Sequence, residues 1–444
     1  MFVASYYFYM SWNAKYVVLI LFTTIVSYLA AILIEYRKNV TCTPPKITLI
    51  LTLTACLGIL FVFKYFNFFS ESFVNFAKIF SIQLHPVTLK LLLPVGISFY
   101  TFQTLSYVID VYKGNVKAEK HFGIYATFIS FFPQLVAGPI ERTNNLLPQI
   151  KAKHEFNYEQ ATYGLKLMAW GFFKKLVIAD NLAIYSDKVF NNVYDFKGFA
   201  LILAAFFFTI QIYCDFSGYS DIARGTAKLF GIELMENFKC PYFSSSIREF
   251  WSRWHISLST WFRDYVYIPL GGNRVGKFRH YFNLMITFMI SGLWHGANWT
   301  FVIWGGLHGL AQIFENVFTR KPKNYQPHGL ERVLKVLITF TFCMFAWVFF
   351  RAQNLNEAIY VFGNMFRGFS VHLGIGIGLM GLCRVIMYVL ILILWDYFSL
   401  ERDVIIRVSS LKKPFLRYVF YFGLVTLLIM LRAINNTEFV YFQF

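Results

Sequence analysis

The residue best suited to chemistry is His295, a histidine that stands between two apolar runs in the string SGLWHGANW. An ionisable side chain at membrane depth is costly and usually functional. Gly292 and Gly296 flank it and would let another backbone or a ligand approach the imidazole closely. A neutral imidazole with an ordinary pKa near 6.5 can accept a hydroxyl proton, so we predict His295 as a general base. The alternative is a structural histidine bonded to a neighbouring helix carbonyl.

A second histidine, His255, lies in the aromatic and charged string WSRWHISLSTWF. It could orient or polarise a substrate carbonyl, and an interfacial packing role is the alternative. Trp294 and Asn298 flank His295 and are candidate donors to a developing oxyanion. His308, in GGLHG, is a weaker candidate.

The composition places these residues in a membrane protein. Of 444 residues, 57% are hydrophobic, 20% aromatic and only 14% charged. An ordinary soluble chain has about 25% charged residues, so a soluble multidomain enzyme and a disordered chain are both excluded. The net charge of +18 agrees with the Lys/Arg excess of cytoplasmic loops, which explains it better than nucleic-acid binding.

Several other kinds of site find no support. The six cysteines form no C-x-x-C pair, so neither a metal site nor a disulfide framework is expected. Neither G-x-S-x-G nor H-E-x-x-H occurs in the sequence, which removes two common hydrolase classes.

Apolar runs predict an all-α, polytopic fold of about ten or eleven transmembrane helices in one domain spanning residues 1–444. The first run, Tyr16 to Ile34, precedes a basic flank expected to be cytoplasmic. The further runs are Ile47 to Phe63, Leu89 to Val108, Tyr163 to Ile178, Phe199 to Cys214, Tyr281 to Leu293, Thr300 to Phe314, Val333 to Phe350, Ile375 to Trp395 and Tyr418 to Leu431.

Two stretches are too polar or too broken to span a membrane. Residues 215–280 alternate aromatic and charged side chains, and HFGIYATFISFFPQLVAGPIER contains Pro133, Gly138 and Pro139 near its end. We expect re-entrant or interfacial helices in both, because irregular backbone survives at membrane depth only where protein or water covers it.

Five blocks in the chain resemble the membrane-bound O-acyltransferase family, and the match is close to its alginate O-acetyltransferase branch. They fall in the family's order between about residues 90 and 310, which form the expected family core. The blocks are LPVGISFYTFQTLSYVIDVY, FPQLVAGPIER, DFSGYSDIARG, FWSRWHISLSTWFRDYVYIPLGGNR and SGLWHGANWTFVIWGGLHG.

The resemblance implies a membrane O-acyltransferase in which His295 is essential and His255 is the second polar site. It also implies a ring of helices around a central funnel, where a cytoplasmic entrance and an outer entrance meet near these histidines. No bound cofactor is expected, and acetyl-CoA would be the acyl-donor substrate. Candidate partners for its phosphates are Arg248, Arg253, Arg263, Arg274 and Lys277, although positive-inside topology predicts the same charges.

The last six residues, 439–444, read FVYFQF and resemble a short aromatic motif of related acyltransferases that serve cell-surface polymers. By that resemblance Tyr441 would carry the acyl group as a relay between donor and acceptor. An aromatic anchor at the membrane edge fits the same composition.

The resemblance further implies a multi-pass protein of the bacterial plasma (inner) membrane, surrounded by lipid. Its acceptor would be an extracytoplasmic polysaccharide or peptidoglycan, reached through a separate acyltransferase of the serine-esterase type; no nucleic-acid partner is expected. Two alternatives remain at this point. One is transfer of D-alanyl or another acyl group from a carrier protein to teichoic acid, and the other is a membrane transporter, for which a repeated pair of broken segments is missing from the sequence.

Overall fold

A computed structural model of the chain describes residues 1–41, 45–318, 327–368, 375–434 and 439–440. Regular structure throughout these residues is helical, without a strand, which confirms the predicted all-α fold. The chain divides into two compact units, Met1–Asn157 with Ala227–Met235, and Tyr158–Thr226 with Glu236–Phe444. We call them unit 1 and unit 2.

Unit 1 contains the first seven α-helices. They are α1 (Phe2–Asn13), α2 (Val17–Thr41), α3 (Lys46–Leu60), α4 (Phe66–Ile79), α5 (Ile97–Lys113), α6 (Phe122–Ser130) and α7 (Thr143–Lys151). The helix α6 has only nine residues and is followed by turns, in line with the broken element predicted there.

Unit 2 contains the other described α-helices, apart from the last three residues of α10. They are α8 (Tyr158–Phe172), α9 (Asp180–Phe190), α10 (Phe199–Leu229), α11 (Ile247–Arg253), α12 (Ile256–Phe262), α13 (Lys277–His295), α14 (Trp299–Phe318), α15 (Gly329–Arg351), α16 (Leu355–Asn364), α17 (Leu379–Ser399), α18 (Val404–Ser409) and α19 (Pro414–Leu431). A π-helical segment, Phe173–Ala179, joins α8 to α9, and a second, Arg263–Tyr267, follows α12.

Six continuous helical stretches in the described residues are long and apolar enough to cross a membrane. They are Phe2–Thr41, Lys46–Ile79, Phe199–Leu229, Gly329–Arg351, Leu379–Ser399 and Pro414–Leu431. Other apolar runs form helices that are shorter or less apolar, such as α13 and α14, so the predicted total of ten or eleven spans stays a prediction.

Two predicted boundaries are wrong. The run Leu89 to Val108 becomes helical only at Ile97, because Pro94 and then Gly96, with a left-handed φ of +73°, interrupt the chain just before it. In the other direction, α10 continues to Leu229, so the first fifteen residues of the polar block 215–280 belong to a membrane-length helix. Asp215 and Asp221 in this stretch pair with Lys175 and Lys174, and such pairing is how an intramembrane charge is tolerated.

The helices α13 and α14 cross very closely, and this crossing positions the predicted base. A Cβ atom on Gly292 would lie 2.2 Å from the carbonyl oxygen of Phe301, and one on Gly305 would lie 2.2 Å from the carbonyl oxygen of Phe288. Small residues allow such backbone approach in membrane proteins. His295 is the last residue of α13, so its place depends on this contact.

Candidate active site

Unit 2 contains a large cavity of about 1610 Å³. Short helices line it, with Trp251 on α11 and Ile256 at the start of α12, and Ser291 on α13 lines it as well. The lining mixes aromatic and aliphatic side chains with hydroxyl groups and a few charges, which is typical of a ligand site. The cavity is therefore a candidate substrate site in the described part of this unit.

His295 lies one helical turn beyond the end of this cavity. Ser291, which lines the cavity, is four residues earlier on α13, and residues i and i+4 share one face of a helix. The imidazole is 5% exposed. Its ring packs edge-on against Trp304 at 5.0 Å and Phe350 at 5.3 Å between ring centroids. Aromatic side chains thus separate the predicted base from bulk water.

His255 is buried, and both its ring and that of His295 pack against the ring of Trp294. The centroid of Trp294 lies 6.3 Å from that of His255 and 5.0 Å from that of His295. His255 is 1% exposed and packs edge-on against Phe216 at 4.6 Å. The structure therefore brings together three predicted residues from two separate sequence blocks.

Burial lowers the pKa of His255 to about 3, because the apolar surroundings disfavour the charged ring. The imidazole is consequently neutral at physiological pH. A neutral ring can donate a hydrogen bond to a carbonyl oxygen, but it does not carry the extra proton that a general acid releases.

The backbone of His255 has a left-handed φ of +43°, which is uncommon for a residue with a side chain. Asn237 holds it there. Its backbone carbonyl accepts the amide N–H of Ile256 at 3.0 Å, and its side-chain oxygen accepts that of Ser257 at 3.1 Å. Strain maintained by surrounding bonds is common at functional sites. The sequence carries no signal for Asn237, because these contacts join residues about twenty positions apart in irregular backbone.

Asn298 makes bonds that define the start of α14. Its side-chain oxygen accepts the amide N–H of Thr300 at 3.0 Å, and its Nδ2 donates to the carbonyl oxygen of Gln353 at 2.7 Å. These contacts fix the turn after His295. In this structure the Asn298 amide positions the start of α14, and its role as an oxyanion donor stays a prediction.

The five predicted cations do not lie together at one place. Arg248 and Arg263 line the cavity, and Arg263 also pairs with Asp264 at 2.8 Å. Arg253 forms an ion pair with Glu249 at 2.7 Å. Arg274 and Lys277 are exposed and lie outside the described cavity lining. Another cation, Lys335 on α15, also lines the cavity, although it is not among the predicted phosphate partners.

His308 is fully buried and accepts a hydrogen bond from the indole N–H of Trp251 on its Nδ1 at 3.2 Å. Trp304 lies edge-on to both His308 and His295, 5.0 Å from each ring centroid. The weaker histidine candidate is thus packed between Trp251, which lines the cavity, and Trp304, which contacts His295. The spacing of His308 from Trp251 gave no indication of this contact.

The predicted relay, Tyr441, lies outside the described residues. Phe439 and Val440, the two preceding residues, are described and belong to unit 2. Val440 is buried, at 3% exposure.

Comparison with known proteins gives the same family that the sequence blocks suggested. The model of MBOAT, the membrane-bound O-acyltransferase family, matches residues 120–359, which include α11 to α15 and both histidines. Peptidoglycan O-acetyltransferase of Helicobacter pylori is 39% identical over 388 residues, 82% of this chain and 72% of the relative. The probable alginate O-acetylase AlgI of Pseudomonas aeruginosa is 42% identical over 364 residues, 82% of this chain and 68% of the relative. Teichoic acid D-alanyltransferase of Bacillus subtilis is 28% identical over 282 residues, 59% of this chain and 70% of the relative.

Proposed function

We propose a function for this chain from one premise: it belongs to the membrane-bound O-acyltransferase family. It is therefore an acyltransferase, and its apolar helices make it a multi-pass membrane protein. In our proposal it moves an acetyl group from cytoplasmic acetyl-CoA across the bacterial inner membrane toward an extracytoplasmic polysaccharide or peptidoglycan.

One observation carries the proposal: His295 lies one helical turn after Ser291, which lines a cavity whose charged lining comprises three Arg or Lys side chains and the carboxylate of Glu315. A long anionic thioester could lie along the cavity with its phosphates near Arg248, Arg263 and Lys335. Arginine and lysine are suited to phosphate oxygens. The acyl end would then point toward Ser291 and the histidine beyond it.

The chemistry requires a base, an oxygen nucleophile and stabilisation of an oxyanion. In the proposed first step, His295 takes the phenol proton of Tyr441 as that oxygen attacks the thioester carbonyl. The carbon–sulfur bond breaks, the CoA thiolate leaves, and the proton passes from the imidazolium to the thiolate. The neutral ring of His255 is suited to donate a hydrogen bond to the developing oxyanion. The acyl-tyrosine retains transfer potential for a second step to the outer acceptor.

The relatives support an acetyl group and a polymer acceptor. Those named for O-acetylation of peptidoglycan or alginate are 39% and 42% identical, whereas the teichoic acid D-alanyltransferase of B. subtilis is 28% identical. We propose that a separate acyltransferase of the serine-esterase type receives the acyl group on the outer side.

The test uses purified protein and acetyl-CoA labelled in the acetyl group. Wild type should release CoA and retain label, His295→Ala should lose both, and Tyr441→Phe should lose the retained label. The control is His85→Ala, which removes an exposed imidazole from an extended segment of unit 1. Folded His295→Ala protein that releases CoA at the wild-type rate would overturn the assignment of the base.

A further inference from the structure

A buried set of charges lies where α10 passes the π-helical segment Phe173–Ala179. Lys175 Nζ is 2.8 Å from a carboxylate oxygen of Asp180 and 2.8 Å from Oδ1 of Asp215. Asp215 is 1% exposed. A carboxylate so far from water needs donors for both oxygens, and one lysine is shared here between two carboxylates.

The second oxygen of Asp215 binds the far end of the chain. Oδ2 accepts the backbone N–H of Val440 at 2.7 Å, a contact across 225 residues of sequence. Hydrogen bonds from a backbone amide to an ionised carboxylate are about twice as strong as neutral ones. The bond depends on the backbone amide of residue 440 rather than on its side chain, so any residue except proline could make it.

The same segment packs toward the histidine site. The ring of Phe439 lies 5.5 Å from Tyr219 and 6.0 Å from Phe216, measured between centroids. Phe216 follows Asp215 directly on α10 and is the ring that packs against His255 at 4.6 Å. One aromatic ring therefore separates the anchored segment from His255.

We propose that Asp215 is a positioning residue that holds the segment Phe439–Val440 beside His255 through the Val440 amide. Its catalytic consequence rests on the proposed function, in which Tyr441, bonded directly to Val440, accepts the acyl group. Lys175, which also pairs with Asp180, holds the Asp215 carboxylate in place. A fixed segment raises the effective concentration of its nucleophile at the site.

The first test measures the anchor without using activity. Amide hydrogen exchange of the peptide containing Val440 is followed in the full-length purified protein. Asp215→Ala should speed exchange at Val440 by about tenfold or more, the equivalent of losing one charged hydrogen bond. The control is Asp221→Asn, which changes a carboxylate on the same helix that pairs with Lys174 instead and should leave that amide protected. Equal exchange in Asp215→Ala and wild type would refute the anchor, whatever the reaction.

The second test keeps the buried charges and changes only the donor. Val440→Pro removes the N–H, whereas Val440→Ala keeps it and loses side-chain bulk. Val440→Pro should lower kcat about tenfold relative to Val440→Ala, with KM for acetyl-CoA unchanged, because the proposed donor cavity is lined by other residues. Equal kcat values would refute the positioning role. Protection at Val440 together with full label on Tyr441→Phe would instead refute the relay and leave the anchor standing.

Discussion

Replacing Gly292 by alanine should push α13 and α14 apart and displace His295. The new Cβ would lie 2.2 Å from the carbonyl oxygen of Phe301 and 3.3 Å from Cα of Gly305. Both neighbours are backbone atoms of α14, so no flexible side chain can move aside. Relief requires a separation of about 1 Å or more, since carbon atoms at optimal contact are about 3.5–4.0 Å apart.

The expected cost has two parts. Overpacking of this kind typically destabilises a protein by about 1–3 kcal/mol. A displacement of about 1 Å in a catalytic group can cost about 10²-fold in rate. Because His295 is three residues after Gly292 on the same helix, we expect a fall in rate of about 10²-fold together with a loss of about 1–3 kcal/mol in the free energy of unfolding.

The assay combines CoA release from acetyl-CoA with thermal unfolding in the same detergent. The matched control is Gly306→Ala on α14, where a Cβ would have no heavy atom within 4 Å. This control variant should keep its activity, and its free energy of unfolding should rise by up to about 1 kcal/mol, because alanine is a better helix former than glycine. Wild-type turnover in Gly292→Ala would refute the claim that the close crossing positions the base.

Three further outcomes follow from contacts in unit 2. His255 has a pKa of about 3 when folded and an ordinary value of 6.5 when unfolded, so the unfolded chain binds a proton first as the pH falls. Lowering the pH from 7.5 to 5 should therefore reduce the free energy of unfolding of the wild type by about 2 kcal/mol more than that of His255→Gln. Arg248→Ala should raise KM for acetyl-CoA about tenfold at unchanged kcat, because its charge lines the cavity. Trp251→Phe should lower the free energy of unfolding by about 1–3 kcal/mol, because Nδ1 of His308 loses its donor in a buried site.

Each of these has an internal control. Equal acid sensitivity of wild type and His255→Gln in thermal unfolding would contradict the assigned burial effect. Arg274→Ala, at an exposed position outside the cavity lining, should leave KM for acetyl-CoA unchanged. A similar rise in KM for Arg248→Ala and Arg274→Ala would indicate an effect of the protein's overall charge rather than of the cavity. Trp304→Phe removes an indole whose N–H has no hydrogen-bond partner in the described part of the chain. It should lower the free energy of unfolding by less than Trp251→Phe does. A larger loss for Trp304→Phe would contradict the role of the Trp251–His308 hydrogen bond.

Much of the fold was accessible from the sequence because a bilayer imposes simple constraints. Long apolar runs had to become helices, as α2, α15 and α19 show. The predicted helix boundaries were wrong where hydrophobicity and the local preferences of the backbone or of charged residues favour different structures. The run before Ile97 is apolar but contains Pro94, and the start of the polar block is charged but continues α10 to Leu229.

The candidate site was only partly predictable. His295 was visible because an imidazole between apolar runs is unusual, and His255 because it lies in an aromatic and charged string; the family blocks then implied a role for each. The contacts that hold them were hidden, since Asn237 and His308 act through backbone or ring geometry that has no sequence pattern. The anchor of Val440 by Asp215 joins positions 225 residues apart, and only a folded chain reveals such a pair.

The most direct measurement of the central claim is photo-crosslinking with an acyl-CoA analogue that carries a diazirine on its acyl chain. If the donor lies in the cavity of unit 2 with its acyl end toward His295, adducts should form on α13 at and after Ser291, and excess acetyl-CoA should suppress them. Adducts confined to other helices, or insensitive to acetyl-CoA, would contradict the assignment of this cavity and of His295 to the acyl-transfer site.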